Sequence, residues 1–100
     1  MVVRPQNMVG PGEVDGDLAD EVSEKCAMFG RVTGCKIYEA SGGLPPEDCV
    51  RIFVQFDAPA AAAAAVADLH GRYFAKRQVR AQFFDPERFN REDLAPAYND

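Results

Sequence analysis

The chain has 100 residues, 47% of them hydrophobic and 27% charged, and its formal net charge is −5 at pH 7. This size and composition predict one globular domain over residues 1–100, and no apolar run is long enough to predict a membrane-spanning helix. The acidic balance disfavours a protein that binds nucleic acid through a broad basic face, and it favours basic partners.

The first part of the chain predicts a strand and a helix. The strand is Val2-Val3-Arg4, and the helix runs from about Asp17 to Phe29. Apolar residues recur in the helix at a spacing that forms one stripe: Leu18, Val22, Cys26 and Phe29. Asp15 or Asp17 is a suitable N-cap, and Gly30 stands where a glycine commonly ends a helix.

Two further strands are predicted in the middle of the chain. The first spans Val32 to Glu39, with Cys35 and Ile37 on one face. The second spans Val50 to Phe56 and alternates clearly. The residues expected on its core face are Ile52, Val54 and Phe56.

The last part predicts a second helix, a fourth strand and a short third helix. Asp57 is the expected cap of the second helix, Pro59 lies in its first turn, and Gly71 ends it. The fourth strand is Gln78 to Phe84, and its residues expected to face inward are Val79, Ala81 and Phe83. The pattern of residues 85–89, an Asp followed by Pro, predicts the start of the third helix.

This order, β-α-β-β-α-β with a C-terminal helix, predicts an α+β fold of the ferredoxin-like, split βαβ type. Its sheet would have four antiparallel strands, with two helices packed on one face. No internal repeat and no second domain are indicated.

Two of these strands resemble the RNA-binding strands of an RRM but lack most of its stacking residues. An RRM stacks bases on aromatic side chains of its central strands. In this chain Arg4 and Arg51 stand at two of the three stacking positions. Each stacked base contributes about 1–3 kcal/mol, so RNA binding through the sheet is expected to be weak or absent. Phe53 remains, and we expect it to pack under the C-terminal helix with Phe84 and Phe89.

The loop before the fourth strand contains Arg72-Tyr73-Phe74. An Arg-x-Phe loop, an acidic first helix and degraded stacking strands together resemble the U2AF homology motif family of RRM-like domains. Four further segments match the family pattern: Asn7-Met8-Val9, Gly12-Glu13-Val14-Asp15, Cys26 with Phe29-Gly30, and Phe84-Asp85-Pro86-Glu87-Arg88-Phe89. The resemblance covers nearly the whole chain.

The resemblance implies a nuclear peptide-binding module of pre-mRNA splicing. Members of this family bind a splicing-factor peptide that carries basic residues ahead of a single tryptophan. The indole would lie between the first helix and the loop, against Phe74. Arg72 would brace the loop and pair with carboxylates, and Tyr73 would point outward. The acidic residues that would attract the Lys and Arg residues of the ligand are Asp15, Glu21 and Glu24.

One position of the first helix departs from the family pattern. Members commonly carry an acidic residue immediately before the helix cysteine, where this chain has Lys25. Glu24, beside it, or Glu21, one turn earlier, would replace that acid. The carboxylate partner of Arg72 therefore stays open at this point.

Enzymatic and metal chemistry have little support in the sequence. His70 is the only histidine, and its place before a glycine predicts a contact at a helix C-terminus rather than a catalytic base. The cysteines, Cys26, Cys35 and Cys49, are odd in number and form no C-x-x-C pair, which argues against disulfides and zinc and for a reducing compartment. We expect no enzyme and no cofactor. Two alternatives stay open, an RRM that binds single-stranded RNA weakly and a scaffold or dimerisation RRM whose loop aromatics are buried.

Overall fold

The computed structural model describes residues 1–9, 14–39, 49–74 and 77–95. The elements within these ranges follow in chain order: β1 (Val2–Gln6), α1 (Leu18–Cys26), β2 (Val32–Glu39), β3 (Val50–Phe56), α2 (Pro59–Leu69), β4 (Tyr73–Phe74), β5 (Arg77–Gln78), β6 (Arg80–Phe84) and α3 (Pro86–Asn90). Four strands form one antiparallel sheet in the order β2-β3-β1-β6. The predicted RRM-like fold is confirmed. Within the described ranges, no helix has the length and apolar character needed to cross a membrane.

The main core lies between one face of the sheet and helices α1 and α2. The apolar stripe of α1 is buried as predicted, through Leu18, Val22 and Cys26. The buried residues of helix α2 are Ala61, Ala62, Ala65 and Leu69. The short side chains of the three alanines let the helix lie close to the sheet. Ile52, Val54 and Phe56 all contribute to this core, which confirms the predicted core face of β3.

Gly30 has a different role from the one predicted. Helix α1 already ends at Cys26, with Ala27 as its C-cap, so Gly30 lies beyond the helix end. Its φ is +154°, and a Cβ on it would overlap the Cβ of Ala61. A glycine is needed here because the chain after α1 passes directly against α2.

The start of α2 also differs from the prediction. Its N-cap is Ala58, in an extended conformation and without a side-chain capping bond. Asp57 was expected there, but its backbone N–H donates to the carbonyl of Arg31 at 3.1 Å, which holds it in the connection to the sheet. Pro59 occupies the first turn as predicted.

The segment predicted as one fourth strand is divided in two. β5 pairs with β4 in a small antiparallel hairpin, whereas β6 joins the main sheet beside β1. Val79, between them, is fully buried, and Ala81 is buried as expected. The prediction for Phe83 is wrong, because its side chain is 48% exposed. β6 is an edge strand, so Phe83 has a neighbouring strand on one side only.

Candidate functional site

The β4–β5 hairpin presents the predicted loop residues to solvent. Its register pairs Tyr73 with Gln78 and Phe74 with Arg77. The side chain of Tyr73 is 67% exposed, in agreement with the outward direction expected for it. The Arg72 side chain, immediately before β4, is 51% exposed. The backbone of Phe74 lies in β4, and its side chain is outside the described part of the structure.

The base of the hairpin is fixed by backbone hydrogen bonds. The N–H of Arg72 donates to the carbonyl of Leu69 at 3.1 Å, and the N–H of Val79 donates to the carbonyl of Arg72 at 2.8 Å. The N–H of Gly71 donates to the carbonyl of Val79 at 2.7 Å, and its φ of +86° favours glycine. These bonds tie the end of α2 to the start of β6, so the loop leaves the domain from a rigid base.

His70 reinforces the same junction. It is the C-cap residue of α2, as the sequence suggested, with its backbone N–H bonded to the carbonyl of Val66. Its ring contact is with the sheet, because Nδ1 accepts a hydrogen bond from the N–H of Ala81 at 3.1 Å. His70, the only histidine in the sequence, therefore has a structural role.

Arg72 forms an ion pair with Asp68, a residue that the sequence prediction did not include. Arg72 Nη2 lies 2.9 Å from Asp68 Oδ1. The two residues are four apart, across the C-terminus of α2, and this i,i+4 spacing of opposite charges was a usable signal. The family resemblance indicated instead a carboxylate of α1, Glu24 or Glu21.

The predicted acidic residues lie on the surface at α1 and just before it. Asp15, Glu21 and Glu24 are all exposed. Asp15 Oδ1 accepts a hydrogen bond from the N–H of Asp17 at 2.9 Å, which stabilises the turn that leads into α1. In the described residues, none of the three acidic residues forms an ion pair with Arg72.

A second set of bonds ties the hairpin to the end of β1. Arg77 Nη1 donates to Asn7 Oδ1 at 3.0 Å, and Asn7 Nδ2 donates to the carbonyl of Gln78 at 3.0 Å. Asn7 has a φ of +68°, a conformation that asparagine tolerates better than most residues. A shallow polar cleft of about 170 Å³ lies beside this junction, lined by Gln6, Asn7, Gln78 and Arg80.

The face of the sheet that binds RNA in an RRM is covered by the C-terminal segment. Phe53 is 0% exposed and packs edge-on against Phe84, with 4.6 Å between ring centroids. Phe89 of α3 and Leu94 complete this second apolar cluster. The expectation that Phe53 packs under the C-terminal helix is therefore confirmed, and its ring is unavailable for stacking on a base.

Polar contacts hold the C-terminal segment against the sheet. Lys36 Nζ donates to the carbonyl of Phe89 at 2.6 Å and lies 2.7 Å from Glu92 Oε1. The same ammonium is 4.1 Å from the Phe89 ring centroid. Arg4 and Arg51, which replace two stacking aromatics, are both buried on this face, the face that carries Val2 and Phe53. The guanidinium of Arg51 lies 5.4 Å from the centroid of the Phe53 ring.

Two of the free thiols, those of Cys26 and Cys35, are weakly reactive. Burial, followed by the charge of Cys35, raises the pKa of Cys26 to about 11, and burial also raises the pKa of Cys35. Both thiols are consequently protonated near neutral pH and are weak nucleophiles. Over the described ranges, no three His, Cys, Asp or Glu residues are grouped in a way that would hold a metal ion.

The sheet, its order and the two covering helices define an RRM-fold domain. The RRM of Rna15 superposes with a TM-score of 0.67 at 17% identity, covering 89% of this chain and 94% of that one. The third RRM of Mip6 superposes with a TM-score of 0.65 at 15% identity, covering 84% and 92%. These similarities establish the fold.

Sequence relatives define the family more narrowly. Splicing factor 45 of Homo sapiens is 47% identical over 94% of this chain and 23% of its own length. The poly(U)-binding-splicing factor PUF60 of Bos taurus is 44% identical over 95% of this chain and 18% of its own. DNA-damage-repair/toleration protein 111 of Arabidopsis thaliana is 49% identical over 91% and 24%. No protein-family model matches the chain. The chain belongs to the U2AF homology motif family of RRM-like domains, and it spans about a quarter or less of these relatives.

Proposed function

We propose that this domain is a protein–protein interaction module of pre-mRNA splicing. It binds a splicing-factor peptide in which basic residues precede a tryptophan, through Arg72, Tyr73 and Phe74 together with the acidic residues of the α1 region. The observation that carries this proposal is the contrast between two aromatic residues. Tyr73 is exposed on the hairpin, whereas Phe53, on the RNA-binding face of the fold, is fully buried.

Charge complementarity supports a basic ligand. Asp15, Glu21 and Glu24 lie exposed at α1, and Asp20 adds a further carboxylate in its first turn. Exposed acidic side chains attract lysine and arginine and raise the rate of association. Lys25, in the last turn of the helix, reduces this attraction locally.

The expected affinity follows from the burial of one indole. A tryptophan buries about 150–250 Å². At about 25 cal/mol per Å² this contributes roughly 4–6 kcal/mol before the peptide is ordered. Ordering removes several kcal/mol, and charge attraction restores part of the loss. A dissociation constant in the micromolar range is the expected result.

The proposal extends to the place of the domain in a larger protein. Residues 1–100 act as one module, without catalytic activity, in a nuclear splicing protein. Two of its relatives are splicing factors several times longer than the aligned segment, which supports a role as a docking module beside other domains.

Calorimetric titration with a short peptide of several lysines and arginines followed by one tryptophan tests the proposal. The matched control is the same peptide with Trp→Ala. Micromolar binding that disappears with the alanine peptide is expected. Equal binding of both peptides would contradict the proposal. Submicromolar binding of a short single-stranded RNA would instead favour an RNA-binding RRM, and a concentration-dependent dimer would favour a scaffold role.

A further inference from the structure

We infer that Asp68 is a positioning residue for the peptide site, because its carboxylate holds the Arg72 guanidinium in the orientation that meets the ligand. The inference rests on the proposed function and deepens it. Asp68 belongs to α2, outside both the Arg72–Phe74 segment and the acidic α1 region on which the proposed site is built.

The backbone of Arg72 is fixed, so only its side chain is free to change conformation. Its N–H and its carbonyl are both bonded, to Leu69 and Val79 respectively, so the backbone is held on both sides. The side chain is long, has many rotamers and is half exposed. The 2.9 Å ion pair with Asp68 selects one of those rotamers.

The ion pair between Arg72 and Asp68 leaves several N–H groups of the guanidinium to bind a ligand. It uses Nη2 of Arg72, whereas a guanidinium carries five N–H donors in a planar fork. The other donors belong to a side chain that is half exposed, so a ligand can reach them from solvent. Asp68 itself is about one-third exposed and lies on the helix side of the pair, so it acts through Arg72.

Asp68→Asn removes the charge and keeps the shape of the side chain. Exposed ion pairs stabilise a geometry only modestly, so peptide affinity is expected to fall about two- to fivefold. Asp57→Asn is the matched control, since it removes the same charge from the opposite end of α2, roughly 16 Å away. Its affinity is expected to equal that of the wild type. Unchanged or tighter binding by Asp68→Asn would overturn the inference.

A double-mutant cycle distinguishes positioning from direct contact. In an Arg72→Ala background, Asp68→Asn is expected to cause no further loss, as followed by NMR titration at high peptide concentration. If the two- to fivefold loss persists in that background, Asp68 acts on the ligand independently of Arg72 and the positioning role is excluded.

A readout without peptide separates this inference from the proposed function. ¹⁵N relaxation of Arg72 Nε is expected to show a more mobile side chain in Asp68→Asn, but not in Asp57→Asn. Equal mobility in wild type and Asp68→Asn would overturn the positioning role even if the peptide binds. Failure of the tryptophan peptide to bind the wild type would overturn the proposed function, while the relaxation experiment would still decide whether Asp68 orders Arg72.

Discussion

At the scale of single residues, Phe74 is the position on which peptide binding depends most. Phe74→Ala removes the aromatic surface proposed to contact the indole, so affinity is expected to fall at least tenfold, roughly the 1.4 kcal/mol or more that such a contact supplies. Because Phe74 belongs to a two-residue strand of a surface hairpin, unfolding free energy is expected to change little. Peptide titration and thermal denaturation measure the two effects, with Tyr73→Ala as the neighbouring comparison. A large drop in Tm with unchanged affinity would assign Phe74 to packing.

Gly30 gives a prediction about stability at the same scale. A methyl group there would overlap the Cβ of Ala61 and would also occupy an unfavourable φ. Gly30→Ala is therefore expected to destabilise the domain by about 1–3 kcal/mol. Gly16→Ala is the control, because a Cβ at that position meets no atom within 4 Å. Urea denaturation of both variants checks the difference, and equal midpoints would contradict the close approach of Gly30 to α2.

At the scale of elements, the sequence pattern predicted what depends on local periodicity. The alternation of residues 50–56 located β3 and both of its faces, and the apolar stripe located α1. It missed features that depend on contacts between distant residues. The hairpin of β4 and β5 forms because Val79 is drawn into the core and bonds back to Arg72, which no local pattern encodes. The Asp68 pair was missed for a different reason: its i,i+4 spacing is a local signal, but the family resemblance indicated a carboxylate of α1 as the partner of Arg72.

The C-terminal helix α3 is the element whose packing is most directly testable. Phe89 is buried against Phe53 and Phe84, so Phe89→Ala creates a cavity in that cluster. The expected loss is about 3–5 kcal/mol of unfolding free energy. Phe83→Ala removes the same atoms from a half-exposed ring and is expected to cost much less. If guanidinium denaturation gave equal losses for the two variants, α3 would not be packed on the sheet as described.

At the scale of the whole molecule, the distribution of charge makes peptide association dependent on salt. The chain carries a net charge of −5, and exposed carboxylates gather at α1. The Debye length shrinks from about 10 Å at 0.1 M salt to about 3 Å at 1 M. Raising the salt concentration across this range is therefore expected to lower the association rate at least severalfold, while the dissociation rate changes less.

Two variants that remove one negative charge each decide whether α1 or the net charge steers the peptide. Glu21→Gln is expected to reduce the salt dependence of the association rate, because Glu21 lies in the first turn of α1. Glu87→Gln, on α3, changes the net charge equally and is expected to leave that dependence as in the wild type. Stopped-flow measurements over a salt series give both slopes. If both variants reduced the salt dependence equally, the association rate would depend on the total charge of the domain. The acidic residues of α1 would then have no specific role in attracting the peptide.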